Sequence, residues 1–484
     1  THTTSQSSAA SDVYKRQVLP DSLYMDYWYS KANKWSLIPT TQAPELNVLI
    51  PWSVPRDTST KAIVLKTLAF IGGTPSSSVH TKSYFIDSLG RNHYTLPVFS
   101  LVLDSLDLFD FDSGIYVPGI NADPDNNRTG NFFERGREWE KAVHIEYFDS
   151  DGNLAFSQNG GVRIHGGYSR RAAQKTLRLY ARAEYGEKYF DYPLLPKSKV
   201  NKYKRVILRG SMMTYRTLFG DAIIANMARN LDLEFQDYQP VIVFLNGEYW
   251  GVQMMREYID EHFLNAHCPE IDKDSVNLLR KKFEVMEGDN ASYVLLHNYL
   301  YNTNFSSVEN YDFLCSQIDI NNYLDYAVTQ FYFANKDWPG NNNTYWQPQD
   351  KSQPWRWILN DLDAGMKFIG HNMFEMMADS TYGKWPYQEW ATLLYRRLIQ
   401  HEAFRDSFMC RSVKLMHSIY HPDSIIEKAQ ELKLLIEPEM EEHIGRWGYP
   451  DSLHKWTNYY DTIIPQFAML RPDRFMIHMT EAFD

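Results

Sequence analysis

Asn335-Lys336-Asp337-Trp338-Pro339-Gly340-Asn341-Asn342-Asn343 separates a helical stretch from a hairpin, and its reading decides that of the whole chain. Upstream, Leu324, Ala327, Val328, Phe331 and Ala334 recur at helical spacing behind Asp319, a residue type suited to cap the helix. Pro339 and Gly340 forbid its continuation. Downstream, Thr344-Tyr345-Trp346 predicts a strand, Gln349-Asp350-Lys351-Ser352 a turn, and Trp355-Arg356-Trp357-Ile358-Leu359 the returning strand, which runs into Asn360-Asp361-Leu362-Asp363. In an antiparallel hairpin the start of the first strand and the end of the second lie at one end. Asp337 and Asn342 are therefore expected beside Asp361 and Asp363, and these last two share a side if the strand persists through them. Three carboxylates and a carboxamide are hard oxygen ligands that suit Mg²⁺ or Mn²⁺. The same residue types suit turns, so spacing alone leaves both readings open.

The 484 residues include 49 Lys+Arg against 60 Asp+Glu, a net charge of −11. Such a balance argues against nonspecific nucleic-acid binding, which needs clustered cations to displace counterions from phosphates. Hydrophobic residues make up 44% and aromatic ones 15%, enough for a large core with Tyr and Trp left over for grooves. Three cysteines, far apart, suit neither a disulfide framework nor a paired-cysteine metal site. No apolar run reaches the roughly 18 residues of a membrane-spanning helix, so no transmembrane segment is expected.

The polar stretch 1–17 reads as a disordered tail and 18–92 as part of a small β-sandwich-like module. The remainder, 93–484, divides into a β-rich part to about 285 and an α-rich part after it. Strands are predicted at Val143–Phe148, at Gly160–Ile164 and around Lys175–Arg182, where Lys175 shares the apolar face with Leu177 and Leu179. A helix is predicted near 217–230 and another near 259–266. Between them, Val241–Val252 reads as a hairpin turning at Asn246-Gly247. Residues 390–484 read as amphipathic core helices, and the 344–359 hairpin as an insertion among helices. Asp337 and Asn342 also fit Asp-x-x-x-x-Asn with an aspartate beyond the hairpin, the order in which protein kinases supply their base and two metal ligands. Lys175, inward-facing and just after the turn His165-Gly166-Gly167-Tyr168-Ser169, is the candidate phosphate lysine. GxGxxG, HRD and DFG are all missing, which excludes an ordinary protein kinase.

Taken together, Arg163–Ser169 with Gln174–Arg178, the hairpin Leu245–Val252, Arg256–Asp260, Asp337–Asn342 and Asp361–Asp363 resemble the CotH kinases. The resemblance implies an α+β, atypical protein-kinase-like fold with a β-rich N-terminal lobe and an α-rich C-terminal lobe. It further implies phosphoryl transfer from ATP, with Mg or Mn, to Ser or Thr of a protein partner, and makes an exported or cell-surface location plausible. Asp337 resembles the catalytic aspartate, Asn342, Asp361 and Asp363 the metal side, and Lys175 the phosphate lysine. Glu257 would orient that lysine or hold metal, and Arg280 and Lys281 fall on the cofactor side. Arg209-Gly210-Ser211-Met212-Met213 departs from the family's more usual Arg-Asn-Ser-rich stretch. Two other readings stand beside this one. One is a catalytically weak or inactive surface protein that holds a glycan or protein partner in an aromatic groove. The other, glycoside hydrolysis by paired carboxylates, gives Lys175 and Asn342 no role.

Overall fold

The computed structural model describes residues 32–42, 50–68, 70–71, 74–85, 93–210, 218–381 and 383–484. The predicted tail 1–17 lies outside them. The strands that position the site are β1 (Val98–Val102), β2 (Lys141–Phe148), β3 (Leu154–Ile164), β4 (Leu177–Tyr180) and β5 (Arg205–Arg209). After them come β6 (Glu234–Phe235), β7 (Tyr238–Leu245), β8 (Glu248–Glu257), β9 (Val276–Arg280), β10 (Glu284–Glu287), β11 (Thr344–Pro348) and β12 (Arg356–Leu359). Three helices matter equally: α1 (Asp221–Ala228), α2 (Glu261–His267) and α3 (Ile320–Tyr332).

Seven strands close into a barrel in the order β5-β8-β7-β1-β2-β3-β4. All neighbours are antiparallel except β7 and β1. Alternation explains how it fills. Leu177, Leu179, Val206, Leu208, Val243, Trp250 and Met255 belong to one core. Val252 and Met254, on the other face of β8, join the larger core shared with the helices. The β7–β8 turn has φ of 49° at Asn246 and 79° at Gly247, the left-handed pair that a two-residue hairpin requires. At Gly251, φ is 96° and a Cβ would stand 2.6 Å from the Trp447 indole nitrogen, so no larger residue fits.

The described part of 32–85 is tied to this barrel. Glu248 accepts from the Trp35 amide at 2.8 Å, and the Ala62 amide donates to Gly247 O at 2.7 Å. The hairpin Ile63–Thr67/His80–Tyr84 follows.

The 344–359 hairpin is not an isolated insertion. It forms the middle of a five-stranded sheet, β6-β12-β11-β9-β10. Physically the reason is plain: Tyr345, Trp346, Trp357 and Ile358 make both faces of the pair apolar, and two strands alone would leave both edges unpaired. Beyond 290 the chain is helical apart from this pair. The architecture is mixed α+β, β-rich first and helix-rich after. The aromatic surplus goes largely into the core, where Trp250, Trp338, Trp346, Trp355, Trp357 and Trp456 are buried.

Candidate active site

Asp319 caps α3 by accepting from the amides of Asn321 (3.2 Å) and Asn322 (3.1 Å). Asn322 is wholly buried; it accepts from the Trp357 amide at 2.7 Å and donates to the Asp232 carbonyl at 3.1 Å, which pins the helix to β12. At the far end the buried Arg471 donates to the carbonyls of Tyr332 (2.7 Å) and Phe331 (2.8 Å), satisfying groups that the helix leaves open. The following loop is fixed from within, with the Trp338 indole donating to the Tyr326 hydroxyl at 2.8 Å and Asn335 to Gln330 Oε1 at 2.9 Å.

That loop presents Asp337. Its Oδ2 accepts from the amides of Asn341 and Asn342, each at 2.9 Å. Oδ1 has no hydrogen-bond partner among the described residues. The Asn342 amide nitrogen also donates to the Asp361 carbonyl at 3.1 Å, which leaves its oxygen available as a ligand. Asn342 and Asp361 hold φ of 52° and 50°, left-handed values that cost energy in residues with a Cβ and cluster at sites whose geometry is imposed. Burial pushes the Asp337 pKa up and the nearby Asp361 charge adds to it, against the hydrogen bonds from Asn341 and Asn342 and the charge of Lys281. A raised pKa makes the carboxylate a better proton acceptor.

β12 stops at Leu359, so Asp361 and Asp363 are not alternating strand residues; a turn directs them instead. Both meet Arg209, the last residue of β5, with Asp361 Oδ1 2.7 Å from Nη2 and Asp363 in direct contact with the same nitrogen. Asp221, the first residue of α1, joins from the other side, at 3.3 Å from Arg209 Nη1 and 2.8 Å from Arg256 Nη2. Asp221, Asp361 and Asp363 each offer an oxygen within 4.8 Å of the others. Burial pushes Asp363 well up, and repulsion from Asp221 and Asp361 adds to this against the pull of Arg209. Burial also lifts Asp221, but Arg256 and Arg209 outweigh it and hold its pKa low. Asp363 Oδ1 is buried with no hydrogen-bond partner among the described residues. Three carboxylates, one carrying an orphaned oxygen, with a carboxamide one residue contact away, fit a hard divalent cation.

The lysine expected here is elsewhere. Lys175 is 0% exposed; its ammonium donates to the carbonyls of Arg170 (2.9 Å) and Ala172 (3.2 Å) and lies 3.6 Å from the Phe132 ring centroid. It makes no ion pair among the described residues. Just ahead of β4, its side chain is taken up by these carbonyls and by the rings of Phe132 and Tyr116. Burial, then Arg170, drives its pKa well down. Glu257 does not orient that lysine either: it binds His267 Nε2 at 2.7 Å and accepts from the Asp237 amide at 3.1 Å. Arg280 turns to Glu284. Lys281, exposed, has its amide on Asn343 O at 2.8 Å, close enough for its charge to act on Asp337.

Arg209 and Asp221 were not among the residues expected at the site. The alternation Arg205-Val206-Ile207-Leu208-Arg209 carried a signal, since it places a cation on the face opposite the barrel core. Asp221 opens an apolar helix, where an aspartate reads equally as a cap.

A family model described as CotH kinase protein matches residues 162–473, more than half of the chain. No curated protein matches it. The matched span contains Lys175, Arg209, Asp221, the Asp337–Asn342 loop and the Asp361–Asp363 turn, and this chain therefore belongs to the CotH kinase protein family, a family of atypical protein kinases.

Proposed function

We propose that the chain transfers the γ-phosphoryl group of ATP to a Ser or Thr hydroxyl of a protein, on a kinase-like two-lobed fold. The observation that carries this reading is the joining of Asp337, Asn342 and Asp361 at one end of the β11–β12 hairpin, beside a buried acidic cluster. Asp361 and Asp363, with the Asn342 oxygen and Asp221 in reach, would hold Mg²⁺ or Mn²⁺. Bound there, such an ion would supply charge neutralisation for the phosphates and the leaving group. Asp337 Oδ1 accepts the proton as the hydroxyl oxygen attacks phosphorus and the β–γ bridging bond breaks, releasing ADP. Asn341 and Asn342 hold the other oxygen of that carboxylate, so the acceptor stays aimed. Lys281, exposed and near enough for its charge to act on Asp337, favours an anionic ligand.

Incubation with Mn²⁺ and γ-labelled ATP, followed by mass spectrometry, tests the reading. Phosphate is expected on serine or threonine, of the chain itself or of an added protein acceptor. A chain that takes no label and binds no Mn²⁺·ATP in calorimetry would overturn it in favour of a binding protein.

A further inference from the structure

The kinase reading requires a cation on the phosphates, and the lysine expected to supply it is sealed inside the barrel. The sheet itself indicates another. Strands β3, β4 and β5 are neighbours, α1 follows β5, and β7 and β8 come next. The turn between β3 and β4 contains His165-Gly166-Gly167-Tyr168-Ser169. Protein kinases place a glycine-rich loop before the strand that bears their phosphate lysine, and the helix αC bears the acid that orients it. In this chain the next barrel strand after the glycine turn and β4 is β5, ending in Arg209, and the next helix among the described residues is α1, beginning with Asp221. Arg209 touches both Asp221 and the Asp361–Asp363 pair, as such a cation should.

We propose that Arg209 is the residue that holds the nucleotide's phosphates and that Asp221 is the acid that positions it, in place of Lys175 and Glu257. The assignment rests on the kinase reading and deepens it. A guanidinium offers its two terminal nitrogens as a planar fork, matched to phosphate oxygens as well as to carboxylates. In this structure Nη2 is spent on Asp361 and Asp363, the two groups that a divalent ion needs. An ion arriving alone must displace Nη2, which then has no anion of its own to receive it. Arriving with a triphosphate, it brings that anion along. Asp221, itself anchored by Arg256, keeps Nη1 in place while Nη2 changes partners. Metal and nucleotide should therefore bind together far better than metal alone.

Calorimetric titrations of Mn²⁺ alone, Mn²⁺·ATP, and AMP with Mn²⁺ test this in the wild type and in Arg209→Gln, Arg209→Lys and Lys175→Met. Removing a charged contact to the β- and γ-phosphates should lower the ATP-to-AMP affinity ratio of Arg209→Gln roughly 10- to 100-fold. Free Mn²⁺ should bind that variant more tightly than it binds the wild type. Arg209→Lys keeps the charge but loses the fork, so its ratio should fall less; it also serves as the test if Arg209→Gln does not fold. Lys175→Met should keep the wild-type ratio even if it melts at a lower temperature. A ratio unchanged in both Arg209 variants, or lost in Lys175→Met, overturns the assignment while leaving the kinase reading intact. A wild type that binds no Mn²⁺·ATP removes both.

Discussion

At the scale of single residues, Asp337 and Asp361, at the same end of the hairpin, should fail in different ways when altered. Asp361→Asn removes an anionic ligand, so affinity for Mn²⁺·ATP should fall together with turnover. Asp337→Asn removes the proton acceptor but keeps an oxygen for Asn341 and Asn342. Turnover should drop about 10²- to 10⁴-fold while Mn²⁺·ATP still binds. Calorimetry beside a transfer assay separates the two; the reverse pattern would exchange their roles. Asp337 also makes a prediction in pH. Its pKa is raised in the fold by burial, so the folded state holds the proton more tightly than the unfolded chain does. The stability this gives is present below the unfolded pKa and lost as pH rises through the folded one. At neutral pH the ionised group is thus a cost, and Asp337→Asn should melt above the wild type there. The gain should shrink as pH falls towards the ordinary carboxylate range, which a series of melting curves would trace. Sequence alone placed Asp337, Asn342, Asp361 and Asp363 together, because hairpin geometry is local. Lys175 lies elsewhere for a physical reason: alternation puts it on the apolar side just ahead of β4, and that side packs on Phe132 and the barrel core rather than on a ligand.

Among the elements, the helix α3 and strand β12 form one unit through Asn322, whose amide bridges Trp357 and Asp232 in full burial. Asn322→Ala takes away the acceptor of one buried group and the donor of another, at a cost of about 1–3 kcal/mol. The urea midpoint should fall by a corresponding amount, and because the 335–343 loop hangs from α3, transfer should fall by more than the loss of folded protein explains. Equal losses in stability and activity would mean the loop is held independently. The 241–252 and 344–359 hairpins were legible because their turns and apolar runs are contiguous. The five-stranded sheet was not, since β9 and β11 pair across some sixty intervening residues, including three helices, and no local pattern records that pairing. The barrel escaped for the same reason: its closure depends on the β7–β1 contact, parallel and far apart in sequence. Long-range pairing is decided by which faces must be covered, and that is settled only once all the elements exist.

For the whole molecule, the acidic balance of −11 and the bound arginines suggest how ligands act on stability. A triphosphate brings further negative charge to a chain already rich in it, so it should stabilise the fold only when a divalent cation accompanies it. Thermal shifts with ATP and Mn²⁺ should disappear on adding EDTA; a shift that persists without metal would contradict the assignment of Asp361 and Asp363. One further consequence follows from Arg471. It is 1% exposed and reaches the carbonyls of Phe331, Tyr332, Ile369 and His371, on either side of the loop and turn that carry the site. Its distance along the chain from Tyr332 is 139 residues. During synthesis those carbonyls must wait, wet and uncommitted, until the ribosome has delivered the helix bearing Arg471. The candidate site is in this sense assembled backwards, its earlier-made half completed by a residue translated much later.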